Sequence, residues 1–582
     1  MRKENITWRA LKQYHSYHKP YFPLRFLQIL FQVISPYFNL WMSAEIVTSL
    51  YEGREQKTVY TLVAVTLAGN LLIGLSDAIL GRMVDTARRT LENNETAAFN
   101  RKTISLDYDK LENPKIRALR RRIQENACIN SYGVVFMRNL VESFFEGGVH
   151  MLFSVVFFAE MLMKIVGAGM HLTSLLLLLV MVLFIGISAW YSKFVQGKLA
   201  EVYKSIGEVM LEENRISEGF SLDGMDARIY CQQKLVSEID KKMNEKHKQY
   251  FSKANSKDTM LGIPSRIFSK VPEACAYLIV GYYCIIGIFP VGGVIKYVGY
   301  LSQVTRNLLN LFYCVTSLKT NEPFLDTYME YFDIKNDMYQ GSLAVEKRSD
   351  KQFDIAFKNV TFCYAGTEEP ALKNINLNIK VGERLAVVGM NGSGKTTFIK
   401  LLCRLYDPTE GEIIMNDFNV RKYDYRQYLD LFSVVFQDYN LLALPLGNNV
   451  ACAAGWDAEK AERLLTEVGF GERYAELTKK LETPLYKNFD EDGVNISGGE
   501  AQKIALARAL YRDAPFIILD EPTAALDPIA EAEIYSRFDE IVGDKTAIYI
   551  SHRLSSCRFC DKIAVFDRGE KPLLHNLFKQ KP

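Results

Sequence analysis

The sequence has little net charge and lacks a metal-binding or disulfide pattern. Its 582 residues carry 70 Lys and Arg against 68 Asp and Glu, a formal net charge of +2, so we expect no nucleic-acid partner. Ten cysteines are mostly scattered, and the C-x-x-C pair Cys557 and Cys560 has no second pair or histidine cluster near it. We therefore interpret the cysteines as reduced thiols. No cleavable signal is visible, because the basic N-terminal segment leads into a hydrophobic stretch without a small-residue cleavage pattern.

Long apolar runs, in contrast, are crowded into the first 320 residues. A helix that spans a bilayer needs about 20 mostly apolar residues. Six segments qualify, some with polar interruptions: 22–46, 58–80, 142–164, 171–191, 270–290 and 293–317. We predict a membrane all-α domain of six transmembrane helices. Buried helices of a large soluble protein are the alternative, which the clustering of six such stretches in one half disfavours.

Basic residues are concentrated in the N-terminal segment and in two long connections, 81–133 and 192–269, whereas the alternate connections are short. The positive-inside rule places both termini and both long loops in the cytoplasm. Most of each long loop is predicted to be helix, with reversals at Asn113-Pro114 and Asp223-Gly224. We predict a multi-pass protein of the cell membrane, specifically the bacterial cytoplasmic membrane.

Several charged residues interrupt the predicted spans, and four of them are candidates for a substrate path, namely Glu142, Glu146, Glu160 and Arg306. Charge facing lipid is costly, so such residues face the interior of the helix bundle, a partner or the membrane interface. They either line a substrate path, pair between helices or lie at the membrane interface. The sequence leaves these alternatives open.

From about residue 350 the pattern changes to alternating short strands and helices. A buried strand, RLAVVG at 384–389, runs into GMNGSGKT at 389–396 and then into a helix. The glycines let the backbone turn its N–H groups toward the phosphates of a nucleotide, Lys395 adds a positive charge, and the Thr396 hydroxyl ligates Mg²⁺. The predicted nucleotide-binding residues of this loop are Gly389, Asn391, Gly392, Ser393, Gly394, Lys395, Thr396 and Thr397.

A second buried strand, FIILDE at 516–521, ends in two acids. We expect Asp520 to hold Mg²⁺ and Glu521 to act as the general base that polarises an attacking water. Three weaker candidates accompany them: Tyr364 to stack on adenine, Gln437 to contact Mg²⁺ and the attacking water, and His552 to contact the γ-phosphate.

The stretch ISGGEAQKIALARAL at 496–510 places a Ser-Gly-Gly turn before a helix-forming run. The exposed amides of Ser497, Gly498 and Gly499 would lie at the positive end of the helix dipole, where a phosphate is stabilised. The chain thus carries two phosphate-binding turns, of which only the first has a lysine.

Taken in order, these motifs resemble those of the ATP-binding cassette (ABC) transporters, and the resemblance covers nearly the whole chain. Tyr364 is similar to the adenine-stacking loop, Gln437 to the Q-loop and His552 to the switch histidine. GMNGSGKT corresponds to Walker A, ISGGE to the signature, FIILDE to Walker B and AALD (524–527) to the D-loop.

The resemblance implies an exporter-type half-transporter. The expected domains are a six-helix transmembrane domain of the ABC exporter fold with two long cytoplasmic loops (1–325), a linker (326–350) and an α/β P-loop NTPase cassette (351–582). It further implies coupling helices at 107–116 and 219–229, with ATP and Mg²⁺ as cofactors. Because the first span begins near residue 22, we expect no N-terminal peptidase domain.

In this family two cassettes meet head to tail, so the 497–499 turn of one chain caps the γ-phosphate held by the other. The resemblance therefore implies a second half-transporter as partner, and ATP hydrolysis that drives export of an amphipathic substrate (a drug, peptide or lipid) by alternating access. The alternatives are an importer that shares the fold, or a cassette-gated channel or regulator.

Two positions of the signature depart from the family pattern, because ISGGE stands where LSGGQ is commonest, and the change from Leu to Ile is mild. Glu500 either places a carboxylate near the nucleotide bound by the partner and weakens that site, or faces away without effect. The altered signature favours a heterodimer over a homodimer.

Overall fold

The computed structural model describes residues 5–130, 132–167, 172–219, 228–345, 353–487, 490–521, 542–543, 545–551 and 560–576. The chain divides into two compact units. One comprises Met1–Leu106 and Pro114–Lys335, and the other comprises Asp107–Asn113 and Asn336–Pro582. The division at Lys335 falls inside the predicted linker, 326–350.

The first unit is helical throughout its described residues. Its helices are α1 (Ile6–Tyr17), α2 (Tyr21–Tyr51), α3 (Gln56–Ser105), α5 (Pro114–Asn130), α6 (Val134–Gly167), α7 (Leu172–Gly219), α8 (Gln233–Ile285) and α9 (Val291–Asp333). Among the residues that the structure describes, three helical stretches are long and apolar enough to cross a membrane, namely α3, α6 and the Leu172–Lys198 part of α7. The other predicted spans lie on α2, on α8 with the short loop that follows it, and on α9.

Between α3 and α5 lies a one-turn helix, α4 (Tyr108–Glu112), which belongs to the second unit. Pro114 is the first residue of α5, a position where proline is favoured because no intrahelical acceptor exists for the missing N–H. The structure thus shows a helix break at Asn113-Pro114, where a reversal is predicted. The second predicted reversal, at Asp223-Gly224, lies outside the described residues, as does most of the 219–229 segment.

Two of the four charges near the spans form interhelical pairs. Glu142 on α6 accepts from Arg25 Nε of α2 at 2.9 Å and hydrogen-bonds Tyr21. Glu160, further along α6, lies 3.0 Å from Lys296 Nζ of α9 and accepts from Tyr297 at 3.1 Å. Each pair gives a carboxylate at membrane depth a cation and a hydroxyl, so the pairing alternative holds for these two residues.

Glu146 and Arg306 differ from Glu142 and Glu160. Within the described part of the chain, neither side chain forms an ion pair or hydrogen bond, and Arg306 is exposed on α9. An exposed guanidinium in a spanning segment is too costly to face lipid. Both the substrate path and the membrane interface stay open for these two residues.

The second unit contains two sheets. Its strands are β1 (Ile355–Phe362), β2 (Leu372–Ile379), β3 (Arg384–Gly389), β4 (Glu410–Met415), β5 (Phe418–Asn419), β6 (Phe432–Val435), β7 (Phe516–Asp520), β8 (Thr546–Ser551), β9 (Lys562–Asp567) and β10 (Glu570–Asn576). The order β2-β1-β4-β5 forms an antiparallel sheet, and β10-β9-β3-β8-β7-β6 forms a sheet in which β9 to β6 are parallel.

The helices of this unit are short. After α4 they are α10 (Lys395–Leu402), α11 (Tyr425–Leu429), α12 (Leu446–Ala451), α13 (Ala458–Glu467), α14 (Gly471–Glu476) and α15 (Gly498–Arg512), with 3₁₀ turns at Val420–Lys422 and Lys480–Glu482. The strands β7 and β8 are buried along their whole length. Their continuous apolar sequences suit a parallel sheet that is covered on both faces.

One arginine is fully buried in this unit. Arg404, which follows α10, has 0% of its surface exposed; it donates to the carbonyl oxygens of Val420 and Tyr339 and pairs with Asp407 at 3.2 Å. The guanidinium thereby attaches the segment after α9 to the cassette core. Its exposed neighbour Arg421 lies 3.3 Å from the same Asp407.

Replacement of Arg404 by Met should destabilise the second unit, because it leaves buried carbonyl oxygens without a donor. We expect the free energy of unfolding to fall by about 2–4 kcal/mol, as for other broken buried pairs. Urea unfolding of the full-length protein in nanodiscs, followed by hydrogen exchange of peptides from β1 to β6, measures this. Arg421→Met is the matched control and should cost roughly 1 kcal/mol or less. Equal losses for both variants would contradict the role assigned to Arg404.

Candidate nucleotide site

The loop between β3 and α10 has a backbone that only glycine accommodates at several positions. Gly392 and Gly394 have φ values of +80° and +98°, which are unfavourable for residues with a Cβ. A Cβ on Gly389 would lie 2.4 Å from the carbonyl oxygen of Phe566, and one on Gly394 would lie 2.5 Å from the side chain of Leu372. The loop is therefore a narrow turn that opens directly onto the N-terminus of α10.

Lys395, the first residue of α10, is 7% exposed. Its Nζ donates to the carbonyl oxygens of Gly389 at 2.8 Å and Met390 at 3.0 Å, so the ammonium lies across the turn. Ser393 Oγ is buried and has no hydrogen-bond partner among the described residues. A buried hydroxyl in need of a partner, an ammonium and a helix N-terminus converge here, and this combination suits a phosphate. Asn391 is exposed beside them.

Asp520 lies at the end of β7, two strands away from β3 in the sheet and separated from it by β8. Thr396 Oγ1 donates to Asp520 Oδ2 at 3.4 Å. Burial, and secondly the negative charge of Glu521, raise the pKa of the Asp520 carboxyl to about 6. The hydroxyl and carboxylate are oxygen ligands of the kind that Mg²⁺ prefers, and a divalent cation would relieve the crowding of negative charge.

Within the described residues, no group of three or more His, Cys, Asp or Glu could hold a metal on its own.

Glu521 directly follows β7 and has φ of +51°, a strained conformation for a residue with a side chain. Its N–H donates to Ile550 O at 3.1 Å, and its carbonyl oxygen accepts from Gln502 Nε2 at 3.3 Å, so both backbone groups hold it in place. Gln437 Nε2 donates to Glu521 Oε2 at 3.2 Å. Gln437 and Glu521 line one cavity of about 520 Å³, together with Tyr439.

The aromatic candidate Tyr364 lies beside α10. Its hydroxyl hydrogen-bonds Thr397 Oγ1 at 2.9 Å, and its ring packs edge-on against Phe362 and Tyr406. Tyr364 is half-buried, so part of its ring is available to a base. The P-loop helix and this ring are thus directly connected.

The second predicted phosphate-binding turn caps α15. Ser497 is the N-cap; its N–H donates to Glu500 Oε2 at 2.8 Å, and Glu500 N–H donates to Ser497 Oγ at 3.3 Å, which forms a capping box. Arg473 of α14 lies 3.0 Å from the Glu500 carboxylate. The carboxylate is therefore held back against its own helix and compensated by a guanidinium, and the amides of Gly498 and Gly499 form the first turn.

The remaining predicted residues cannot be placed. β8 ends at Ser551, so His552 is the next residue in the chain, but His552 itself and the AALD stretch at 524–527 lie outside the described residues.

Three residues of the site escaped prediction. Gln502 and Tyr439, which contact Glu521 and Gly498 respectively, lie close in sequence to predicted residues, and their polarity within apolar surroundings was an available signal. No sequence signal pointed to Arg473, because its link to Glu500 arises from the packing of α14 beside α15.

Comparisons with known proteins agree with this geometry. The ABC transporter family model matches residues 372–524. The subtilin transport ATP-binding protein SpaT of Bacillus subtilis is 34% identical over 54% of this chain and 51% of that protein. The ATP-dependent lipid A-core flippase of Escherichia coli (strain K12) is 38% identical over 42% of this chain and 41% of that protein. The aligned regions thus span about half, or less, of these relatives' own length.

The fold is similar to that of a bacterial Atm1-family ABC exporter solved with ATP bound, with a TM-score of 0.72, 18% identity and 95% coverage of both chains. The fold and the site together define a membrane protein with an ATP-binding cassette. Residues 372–524 thus match the ABC transporter family model, and the chain as a whole shares the fold of this exporter. The predicted fold class is confirmed.

An ionised Asp520 should destabilise the cassette when Mg²⁺ and nucleotide are absent. Because the folded-state pKa of about 6 exceeds the ordinary value of 3.8, the stability associated with this group is lost as the pH rises through 6. We expect Asp520→Asn to raise the free energy of unfolding by roughly 1–3 kcal/mol at pH 7.5 and to leave it unchanged at pH 4.

Urea unfolding of the full-length protein in EDTA at the two pH values measures this difference. Asp417→Asn, which removes an exposed carboxylate from the turn between β4 and β5, is the control and should show no such pH-dependent gain. A gain of the same size at both pH values would indicate that the amide acts by packing rather than by loss of charge.

Proposed function

We propose that the chain is one half of an ATP-driven exporter in which two cassettes share two ATP sites. The observation that carries this proposal is the convergence at one sheet edge of the Lys395 turn, the Thr396–Asp520 pair and the Gln437–Glu521 pair. Each supplies a different requirement of phosphoanhydride hydrolysis, namely a phosphate cradle, a magnesium ligand set and a base.

In this proposal the turn at 389–396 binds the phosphates through backbone N–H groups, while Lys395 neutralises part of their charge. Thr396 and Asp520 hold Mg²⁺, which supplies charge neutralisation at the phosphates when it is bound. Tyr364 stacks on the adenine and thereby sets the position of the nucleotide along the loop.

Glu521 then acts as general base. Its strained backbone aims the carboxylate into the cavity beside Gln437, and the amide of Gln437 fixes the carboxylate orientation with one hydrogen bond. Since this pair forms before any nucleotide binds, little reorganisation is needed when a water enters. A cassette that only gates a channel has no need of such a base, so the pair favours turnover over the regulator alternative.

The second turn, at 497–499, lacks a lysine and is best explained by a partner's nucleotide. Ser497 Oγ and the Glu500 carboxylate are occupied in the capping box, so a phosphate would meet chiefly the amides of Gly498 and Gly499. We therefore propose a second half-transporter as partner, arranged head to tail. Because Arg473 compensates Glu500, the altered signature gives less reason to favour a heterodimer, and a homodimer with two active sites becomes equally reasonable.

The relatives are named for the transport of subtilin and for flipping of lipid A-core. We propose an amphipathic substrate for this chain, moved outward by alternating access, with Glu146 and Arg306 as polar residues of its path. The distribution of basic residues supports a cytoplasmic location for the cassette and both termini, in the bacterial cytoplasmic membrane.

Glu521→Gln should bind ATP but hydrolyse it slowly. We expect kcat to fall roughly 10²–10³-fold while the dissociation constant for ATP stays within about threefold of wild type, since the amide cannot accept the proton. The measurement is ATPase activity and nucleotide binding of the full-length protein in lipid. Glu410→Gln, on an exposed edge of β4, is the control. Wild-type turnover in Glu521→Gln would remove Glu521 from the base role, and absence of ATP binding in the wild type would refute the proposed function.

Loss of Arg473 should expose the charge of Glu500 to the partner's nucleotide. We expect Arg473→Ala to raise the KM for ATP roughly 2–5-fold, the scale of an exposed charge pair, and Arg473→Ala/Glu500→Gln to restore it. Steady-state ATPase assays at low salt measure the KM. Arg463→Ala, which breaks a pair of the same kind on α13, is the control. An equal rise in the Glu500→Gln background would show that Arg473 does not act through Glu500.

A further inference from the structure

Three tyrosine rings in the second unit surround one lysine. Lys400, on α10 one turn after Thr396, places its Nζ 5.4 Å from the ring centroid of Tyr108, 5.9 Å from that of Tyr364 and 6.0 Å from that of Tyr406. These distances are within the range of cation–π attraction. We call this group the Lys400 cluster; it consists of Lys400, Tyr108, Tyr364, Tyr406 and Glu112.

A single carboxylate completes the cluster. Glu112 lies 3.5 Å from Lys400 Nζ, and it accepts hydrogen bonds from Tyr406 at 3.0 Å and from Tyr108 at 3.3 Å. The Lys400 side chain is only 18% exposed, so these interactions are partly shielded from solvent. Since Tyr108 and Glu112 are the two ends of α4, the lysine fixes the whole of this short helix.

Lys400 also borders the predicted nucleotide site, through the ring of Tyr364. Tyr364 is in edge-on contact with Tyr406, and its hydroxyl is bonded to Thr397 on α10. A base that stacks on Tyr364 would restrict the movement of this ring, and the ring borders Lys400 directly. The phosphates, in contrast, bind at the opposite end of α10, around Lys395.

The helix α4 is otherwise attached to the segment that follows α9. Asp107 accepts from the backbone N–H of Met338 at 2.9 Å, and its own N–H donates to Asn336 Oδ1 at 3.0 Å. With only five residues, α4 has too few backbone hydrogen bonds to be stable alone. Its order therefore depends on these anchors and on the Lys400 cluster.

We propose that Lys400 is a positioning residue that links the adenine-stacking ring of Tyr364 to α4, so that the base of the nucleotide, rather than its phosphates, controls the stability of α4. The proposal rests on the proposed function only in requiring that the cassette binds a nucleotide. It assigns a role to Lys400, which is not among the nucleotide-site residues predicted from the sequence. It also makes occupancy of the base site the event that α4 responds to.

The test compares ADP with pyrophosphate, each with Mg²⁺ and at saturation, by hydrogen exchange of the full-length protein in nanodiscs. Both should slow exchange in the 389–397 turn, because both present phosphates to it. Only ADP should slow exchange at residues 107–113, by at least about fivefold, since only ADP has a base. Equal protection of 107–113 by pyrophosphate would overturn the proposal, as would no protection by ADP while 389–397 is protected.

Variants of Lys400 distinguish the proposed link between Tyr364 and α4 from a general change in stability. Lys400→Met keeps the length of the side chain but removes its charge, and it should abolish the ADP effect at 107–113 while leaving that at 389–397. Lys400→Arg should retain the effect, and the exposed Lys358→Met on β1 is the matched control. An ADP effect that persists in Lys400→Met would refute the role of this lysine. If Lys400→Met does not fold, the wild-type comparison of ADP with pyrophosphate still decides the proposal.

Exchange in the 389–397 turn tests the proposed function itself. If neither ADP nor pyrophosphate slows exchange at 389–397, the cassette does not bind phosphates there, and both proposals fail together. Protection of 389–397 without the difference at 107–113 would leave the proposed function intact and reject the link to the base.

Discussion

The nucleotide site depends on the parallel arrangement of β3, β8 and β7. Parallel strands end at the same edge of a sheet, so the P-loop after β3 and the acids after β7 meet there although they are far apart in sequence. The continuous apolar sequence of these strands requires cover on both faces, which α10 and α15 help to provide. The same burial raises the pKa of the Asp520 carboxyl.

Charge compensation is the second common theme. Lys395 is held by two carbonyl oxygens, Glu500 by its own helix and Arg473, and Lys400 by three aromatic rings and Glu112. For Glu500 and Lys400 the compensating charges come from other elements, whereas the carbonyl oxygens that hold Lys395 belong to the turn just before it. These groups are therefore pre-positioned before a ligand arrives, which reduces the reorganisation that binding requires.

In the helical unit, charge compensation distinguishes two groups of charged residues. Glu142 and Glu160 are satisfied by cations and hydroxyls of neighbouring helices, which stabilises the bundle at membrane depth. Arg306 and Glu146 have no such neighbours in the described part of the chain, and this contrast is the basis for assigning them to the substrate path.

The sequence by itself determined the fold class and the strands that carry the P-loop and the Walker B acids, because apolar runs and glycine spacing are local signals. It also determined the helix break at Asn113-Pro114, because proline is such a signal. Only the tertiary structure decided which charges are paired. Glu500 was ambiguous until α14 placed Arg473 beside it, and Lys400 was an ordinary helix lysine until α4 and two loops surrounded it. Such contacts join residues far apart in the chain, and no local pattern encodes them.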